Sequence, residues 1–293
     1  MINLHCRMNS IIIKYLIVFS FFVLISKPDL QAQESYNIAT YNIRFDNPGD
    51  EGNLWEDRAP HLINLIRFHE MDIVGTQEGL YTQLEDISKD LQFPYIGVGR
   101  DTGGQEGEFS AVFYNPEKFE LLDKNTFWLS PTPDKPSKGW DAALNRVCSW
   151  GKFQTKDGKM FYVFNVHYDH VGQKAREESS KLLLKKIEAI NTDNLPCIVT
   201  GDFNVEEENP AYKELLKDGR LKDSKDASRT PSHGTPGTFN AFNWDLLPDR
   251  RIDYVFITDG FVVNHHATLT DNYGKKYPSD HFPVMVRLMF PEK

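Results

Sequence analysis

The order in which this chain sets out its apolar runs limits its fold more than any other property. At first, strand-like and helix-like runs alternate. "SYNIATYNIR" (35–44) reads as a strand, and "WEDRAPHLINLIRFHE" (55–70) places Ala59, Leu62, Ile63 and Ile66 on one helical stripe. "MDIVGTQE" (71–78) is a short strand, and "LYTQLEDISKDL" (80–91) a second amphipathic helix. The alternation then stops. "FSAVFYN", "FELLDKNTFWLS", "NRVCSWGKF" and "MFYVFNVHYD" follow one another as β-rich runs, parted by Gly, Pro and Asp. A third helix covers 173–191, before "PCIVTGDFN" (196–204), "RRIDYVFIT" (250–258), "FVVNHHATL" (261–269) and a closing strand expected from Phe282. A doubly wound parallel sheet needs a helix after each strand and does not fit. Two packed mixed β-sheets flanked by helices do, in one α/β domain over 35–290. With 40% hydrophobic residues among 293, the chain can bury a large core.

The N-terminus carries a separate signal. Arg7 and Lys14 precede an apolar core from Tyr15 to Ile25, and Ala32 offers a small residue at a cleavage point. This predicts a signal peptide over 1–32, too short in its apolar core to span a membrane comfortably. The expected product is periplasmic or secreted, with no stable membrane span. Cys148 and Cys197 then remain, and read as small buried hydrophobes. The net charge of −9 does not draw polyanions by bulk field, which makes long nucleic acid a less favoured partner. "EEE" (206–208), read as a solvated loop, adds to that.

Strand ends repeat one theme: an apolar run terminates in amide, carboxylate or imidazole. Asn42, Glu78, Asn165, His167, Asp202 and Asn204 close such runs, Asp253 opens one, and Asp280 and His281 stand before the last. Polar groups at buried strand ends are costly unless satisfied. Hard oxygen donors (Glu78, Asp280, Asn42) favour Mg²⁺, Mn²⁺ or Ca²⁺ over zinc. The sequence has no HExxH, CxxC, phosphate-binding GxxxxGK[ST] or GxSxG. A carboxylate such as Asp202 can orient or deprotonate water, and a carboxylate-held histidine can stabilise developing negative charge. Each motif alone has a plainer reading. "GDFN" can be a tight turn, "SDH" a strand cap, and Arg251–Asp253 a surface ion pair. A glycosidase using Asp202 and Glu78, or a non-catalytic binding module, remains open at this level.

Taken in order, "QE" (77–78), "NVH" (165–167), "GDFN" (201–204), "RIDY" (251–254) and "SDH" (279–281) resemble the endonuclease/exonuclease/phosphatase superfamily, with the DNase-I-like fold. "YNIRFDNPGDEGNLWEDR" and "NTFWLSPTPDKPSKGWDAALNR" are similar to a secreted bacterial branch of metal-dependent phosphohydrolases. The resemblance implies a four-layer α/β/β/α sandwich and a Mg²⁺- or Mn²⁺-dependent phosphoesterase. It implies Glu78 as principal metal ligand, with Asn42 and Asp280 near the metal. Asp202, assisted by Asn204, would activate water. His281, partnered by Asp253, would contact the phosphoryl oxygen, and His167 would be a second such imidazole. Arg44, Arg146, His170 and Arg176 are candidate substrate contacts, and Trp140 a candidate for the mouth. The other histidines (His61, His69, His233, His265, His266) read as structural. The expected substrate is a phosphoester: a nucleotide, a sugar phosphate or a lipid headgroup. A secreted nuclease is the alternative.

Overall fold

The computed structural model describes residues 34–291; the expected signal peptide lies outside them. The elements run β1 (Tyr36–Asn42), α1 (Trp55–Phe68), β2 (Ile73–Gly79), α2 (Tyr81–Leu91), β3 (Tyr95–Ile96), β4 (Phe109–Tyr114), β5 (Phe119–Trp128), β6 (Val147–Thr155) and β7 (Met160–His167). They continue with α3 (Gln173–Ile190), β8 (Cys197–Asp202), α4 (Pro210–Leu216), β9 (Lys222–Asp223), α5 (Ser224–Ala227), β10 (Asp253–Ile257), β11 (Val262–Thr268) and β12 (Val284–Met289). Two six-stranded sheets result, ordered β11-β12-β1-β2-β4-β3 and β5-β6-β7-β8-β10-β9. Each is mixed: β1 runs parallel to β2 and β7 parallel to β8, while the other pairings are antiparallel.

The layering follows from the two-residue period of the strands, which sends alternate side chains to opposite faces. In β1, Tyr36 and Ile38 enter the core between the sheets, while Ala39 and Tyr41 enter a second core with α1 and α2. In β7, Phe161 and Val163 join the inter-sheet core, while Tyr162, Phe164 and Val166 join a third core with α3 and α4. Central strands covered on both sides read as continuous apolar runs, as the sequence shows. The helices supply the complementary stripes: Leu62, Ile63 and Ile66 from α1, and Leu183 and Ile187 from α3. The architecture is the expected α/β/β/α sandwich. Among the described residues no helix is long and apolar enough to cross a membrane.

Along the inner faces, polarity rises toward one rim. β1 reads Tyr36, Ile38, Thr40, Asn42; β7 reads Phe161, Val163, Asn165, His167; β8 reads Ile198, Thr200, Asp202. Midway, a polar seam joins the sheets. Asn165 Nδ2 donates to the carbonyls of Thr76 and Ala111, both at 2.8 Å, and Asn165 Oδ1 accepts from Gln77 Nε2 (2.7 Å) and Thr200 Oγ1 (3.0 Å). Gly75 lies under this seam, where a Cβ would come within 2.2 Å of Thr200 Oγ1.

Two boundaries fall short of the sequence reading. β12 starts at Val284 because the amide of Phe282 is taken by the carbonyl of Thr238 and Pro283 has no amide to give. Residues 250–252 lie outside β10 because the carbonyl of Arg250 accepts from Thr238 and Phe239. Helix α4, not foreseen, begins with Asn209 capping the amide of Ala211 and Pro210 in the first turn. Cys148 and Cys197 are free and buried.

Candidate active site

The polar strand ends converge on one cavity of about 380 Å³. Its walls include Arg44, Glu78, Arg146, His167, His170, Asp202, Asn204, Asp280 and His281. Strand register explains the meeting. Asn42 stands opposite Gln77, next to Glu78, and Asp202 stands between His167 on β7 and Asp253 on β10.

Asp202 Oδ2 is the focus. It accepts from Asn42 Nδ2 at 3.0 Å, and lies 3.6 Å from His167 Nε2 and 3.8 Å from His281 Nε2. Asp202 Oδ1 accepts from the amide of Asn204 at 2.9 Å. Burial and the Asp253 carboxylate push the Asp202 carboxyl up to about 7, against the pull of His281. Asp253 Oδ2 receives the His281 Nδ1 proton at 2.8 Å. Burial opposes a charged His281, yet Asp253 and Asp202 together hold the imidazolium well above the usual histidine range.

The neighbouring acids form a second group. Asn42 Nδ2 also donates to Glu78 Oε1 at 3.0 Å. Burial lifts the Asp280 carboxyl to about 6, with Glu78 adding to the rise and His281 opposing it. The Arg44 guanidinium is 3.9 Å from both Glu78 Oε2 and Asp280 Oδ2, and makes its close pair with Asp50 instead, at 2.8 Å and 3.0 Å. The Asn42 amide oxygen accepts from the Arg44 backbone amide at 3.0 Å, so the donors free to hold a hard divalent ion here are the Glu78 and Asp280 carboxylates. Donor atoms of Asp202, Asp253 and His281 also lie within 4.8 Å of one another. His281 and Asp253 Oδ2 form an imidazolium–carboxylate pair there, while Asp253 Oδ1 is buried without a hydrogen-bond partner. Both the Glu78–Asp280 pair and the Asp202–Asp253–His281 group thus offer oxygen donors to a cation.

His167 is held differently. Its Nδ1 accepts from Arg146 Nη1 at 2.9 Å, which puts the ring proton on Nε2, facing Asp202. Burial and the Arg146 and Arg100 guanidinium groups keep it neutral, well below the usual range. Arg146 Nη2 donates to His170 Nδ1 at 2.9 Å and Nε lies 3.5 Å from Asp169, so Arg146 orients both imidazoles rather than presenting a free fork. Burial would raise Asp169, but four backbone amides (Ala143, Leu144, Val171, Gly172) hold its carboxylate well below the normal range. Asn204 Nδ2 donates to the carbonyl of Tyr168 and lies 3.2 Å from His167 Nε2.

The backbone is bent to aim these groups. Arg44, Glu78 and Asn204 have φ of 55°, 65° and 51°, and Glu78 lies at a bulge between β2 and β4. Left-handed non-glycine residues cost energy and persist only where their surroundings hold them. Buried Arg58 supplies part of that hold, donating to the carbonyls of Ile43, Arg44, Phe45 and Pro278 and so tying the Arg44 loop to the Asp280 loop.

Not every expected residue arrives. Arg176 donates to the carbonyl of Asp169 (2.9 Å) and to Gln173 (2.8 Å), and does not line the cavity. Trp140 lines a separate groove beside α3. Arg251 pairs with Asp223 at 2.7 Å, leaving Asp253 to His281. "EEE" is not merely solvated: Glu206, Glu207 and Glu208 pair with Arg250, Arg251 and Lys213. His265 and His266 bond Thr230 and Ser232, away from the cavity. Glu108, which the sequence reading passed over, lines the cavity in a two-pronged pair with Arg100 (2.6 Å and 2.8 Å). Burial raises its carboxyl to about 7 despite Arg100. It belongs to the same strand-end theme, standing before its apolar run as Asp253 and Asp280 do.

An α/β/β/α sandwich with acids, amides and imidazoles gathered at one rim of both sheets defines a class of phosphoester hydrolases with the DNase-I-like fold. The chain belongs to the endonuclease/exonuclease/phosphatase family, whose profile matches residues 39–281. It is 42% identical to an endonuclease/exonuclease/phosphatase family protein from Bacteroides thetaiotaomicron, with a TM-score of 0.86 over 89% of this chain and all of that one. It is 43% identical to the mannosyl-6-phosphatase Bt3783 of Bacteroides thetaiotaomicron VPI-5482, with a TM-score of 0.84 over 87% of this chain and all of that one. Protein L388 of Acanthamoeba polyphaga mimivirus is 27% identical over 79% of this chain and 91% of its own length.

Proposed function

We propose that this protein is an exported, Mg²⁺- or Mn²⁺-dependent phosphoesterase that hydrolyses a small phosphoester by attack of water. The observation that carries the reading is the sharing of Asp202 Oδ2 by Asn42, His167 and His281, each from a different segment. Glu78 is the principal metal ligand, with Asn42 and Asp280 beside it. A divalent ion bound there supplies charge neutralisation for the phosphoryl oxygens. Asp202, poised near neutrality and steered by Asn42 and Asn204, orients the attacking water and takes its proton. His281, kept cationic by Asp253, donates to a phosphoryl oxygen as charge develops. Neutral His167 donates from Nε2 toward the same place, and His170, oriented by Arg146, faces the substrate side. Likeness to a mannosyl-6-phosphatase over that whole chain favours a sugar phosphate. The family also includes nucleases by name, which keeps nucleic acid as the second reading.

The test is a panel of mannose 6-phosphate, p-nitrophenyl phosphate, bis(p-nitrophenyl) phosphate, plasmid DNA and RNA. Each is assayed with Mg²⁺ and with Mn²⁺, with and without chelator. Turnover of at least one ester is expected, abolished by chelator and restored by metal. Asp202→Asn should lower kcat by about 10²–10⁴-fold with the Tm preserved. Hydrolysis that survives chelation or Asp202→Asn would refute the reading. Export over residues 1–32 is checked by the N-terminal sequence of the mature protein, expected to begin at Gln33.

A further inference from the structure

The cavity has a wall that the hydrolytic steps do not use. Glu108 stands there, its carboxyl gripped by both terminal nitrogens of Arg100 and its Oε2 4.0 Å from His167 Nδ1. The grip is built in from behind. The Arg100 carbonyl accepts from Trp128 Nε1 at 2.7 Å and Asn145 Nδ2 at 3.3 Å, and its amide donates to the Glu108 carbonyl at 3.1 Å. Arg100 is only 7% exposed, so its conformation is set by the protein.

Charge around the cavity narrows what can lie against this wall. A second phosphate would need an uncommitted cation. Arg100 is spent on Glu108, Arg146 on His167 and His170, and Arg44 on Asp50, which leaves only Arg250, an exposed side chain at the rim paired with equally exposed Glu206. No lysine lines the cavity among the described residues. Glu108 instead offers carboxyl oxygens to hydrogen-bond donors, and apolar Phe45, Leu144, Phe239 and Ile252 also line the cavity. A carboxyl fixed by a guanidinium, in a cavity that also carries apolar side chains, suits a ring that carries hydroxyls. It does not suit another phosphate of a nucleic acid chain. A hydroxyl, being donor and acceptor, bonds to a carboxyl in either protonation state.

We infer that Glu108, clamped by Arg100, is a specificity-determining residue that hydrogen-bonds the hydroxyls of an uncharged, polyhydroxylated leaving group, a sugar in preference to a nucleic acid chain. The inference rests on the phosphoesterase reading above and names the substrate side of that site. Its test pairs mannose 6-phosphate with cyclohexylmethyl phosphate, which keeps the six-membered ring and phosphomethyl arm but has no hydroxyls. In Mg²⁺, the wild-type protein should favour the sugar phosphate by about tenfold or more in kcat/KM, the range of a hydrogen bond to a charged group. Glu108→Gln should cut that preference about tenfold, chiefly through KM for the sugar. Equal wild-type use of the two esters overturns the inference without recourse to any variant. So does a parallel fall on both esters in Glu108→Gln, or a wild-type preference for oligonucleotides. If the wild type hydrolyses no phosphoester at all, the underlying phosphoesterase reading falls as well, so the two failures are told apart.

Discussion

Two histidines in this protein are almost equally buried, His281 at 4% exposure and His266 at 2%, and their surroundings drive them in opposite directions. His281 has Asp253 at 2.8 Å and Asp202 at 3.8 Å, enough to keep a charge out of water. His266 has one partner, the Ser232 hydroxyl at Nδ1, while its Nε2 has none. Burial, helped by Arg251, lowers its pKa to about 4. The sign of the resulting pH effect follows. The unfolded chain takes up this proton near pH 6.5 and the folded chain only near pH 4, so acid favours unfolding. Stability from neutral His266 is complete above about pH 6.5 and drains away as the pH falls toward 4, by about 3 kcal/mol in total. Urea unfolding from pH 7 to pH 4 should show His266→Asn losing less stability across that window than the wild type. Identical slopes would mean that His266 is charged in the fold or inert.

The seam through Asn165 is what lets two separate sheets present one site. It fixes β7 against β2 and β4 one step inside the rim, so that His167 and Asp202 face Asn42 and Glu78. Asn165→Leu keeps the volume but leaves the Thr76 and Ala111 carbonyls without that donor. We expect a loss of about 3 kcal/mol, read as a Tm drop of roughly 6–12 °C. A change under about 1 kcal/mol would show that the sheets are held by apolar packing alone. At this scale the sequence was most readable. Helices α1, α2 and α3 carry clear periodic stripes, and most site residues close an apolar run, where a polar side chain is conspicuous. What escaped notice depends on distant partners. Arg58, between Asp57 and Ala59, looks like an ordinary surface cation until the chain folds its loops over it. Glu206 and Glu207 meet their arginines 44 residues away. Arg176 is within reach of the site in the sequence, but its guanidinium is taken up by the Asp169 carbonyl and Gln173.

For the molecule as a whole, connectivity matters as much as composition. The first strand lies in the interior of its sheet, with the last strand on one side: Tyr36 pairs with Leu288 and Thr40 with Val284. Val284, Val286 and Leu288 belong to the inter-sheet core, and His281 and Asp280 precede them by a few residues. Removing residues 276–293 should therefore abolish a cooperative thermal transition, followed by circular dichroism, and not merely lower activity. A truncated chain that still melts cooperatively near the wild-type Tm would contradict this account of the core.

The same β1–β12 pairing bears on how such a chain folds. Its two partners are separated by nearly all of the described residues, so closing the first sheet costs the entropy of a very long loop. Local hairpins can form early, but the interior and the hydrolytic centre are complete only once that distant pairing is made.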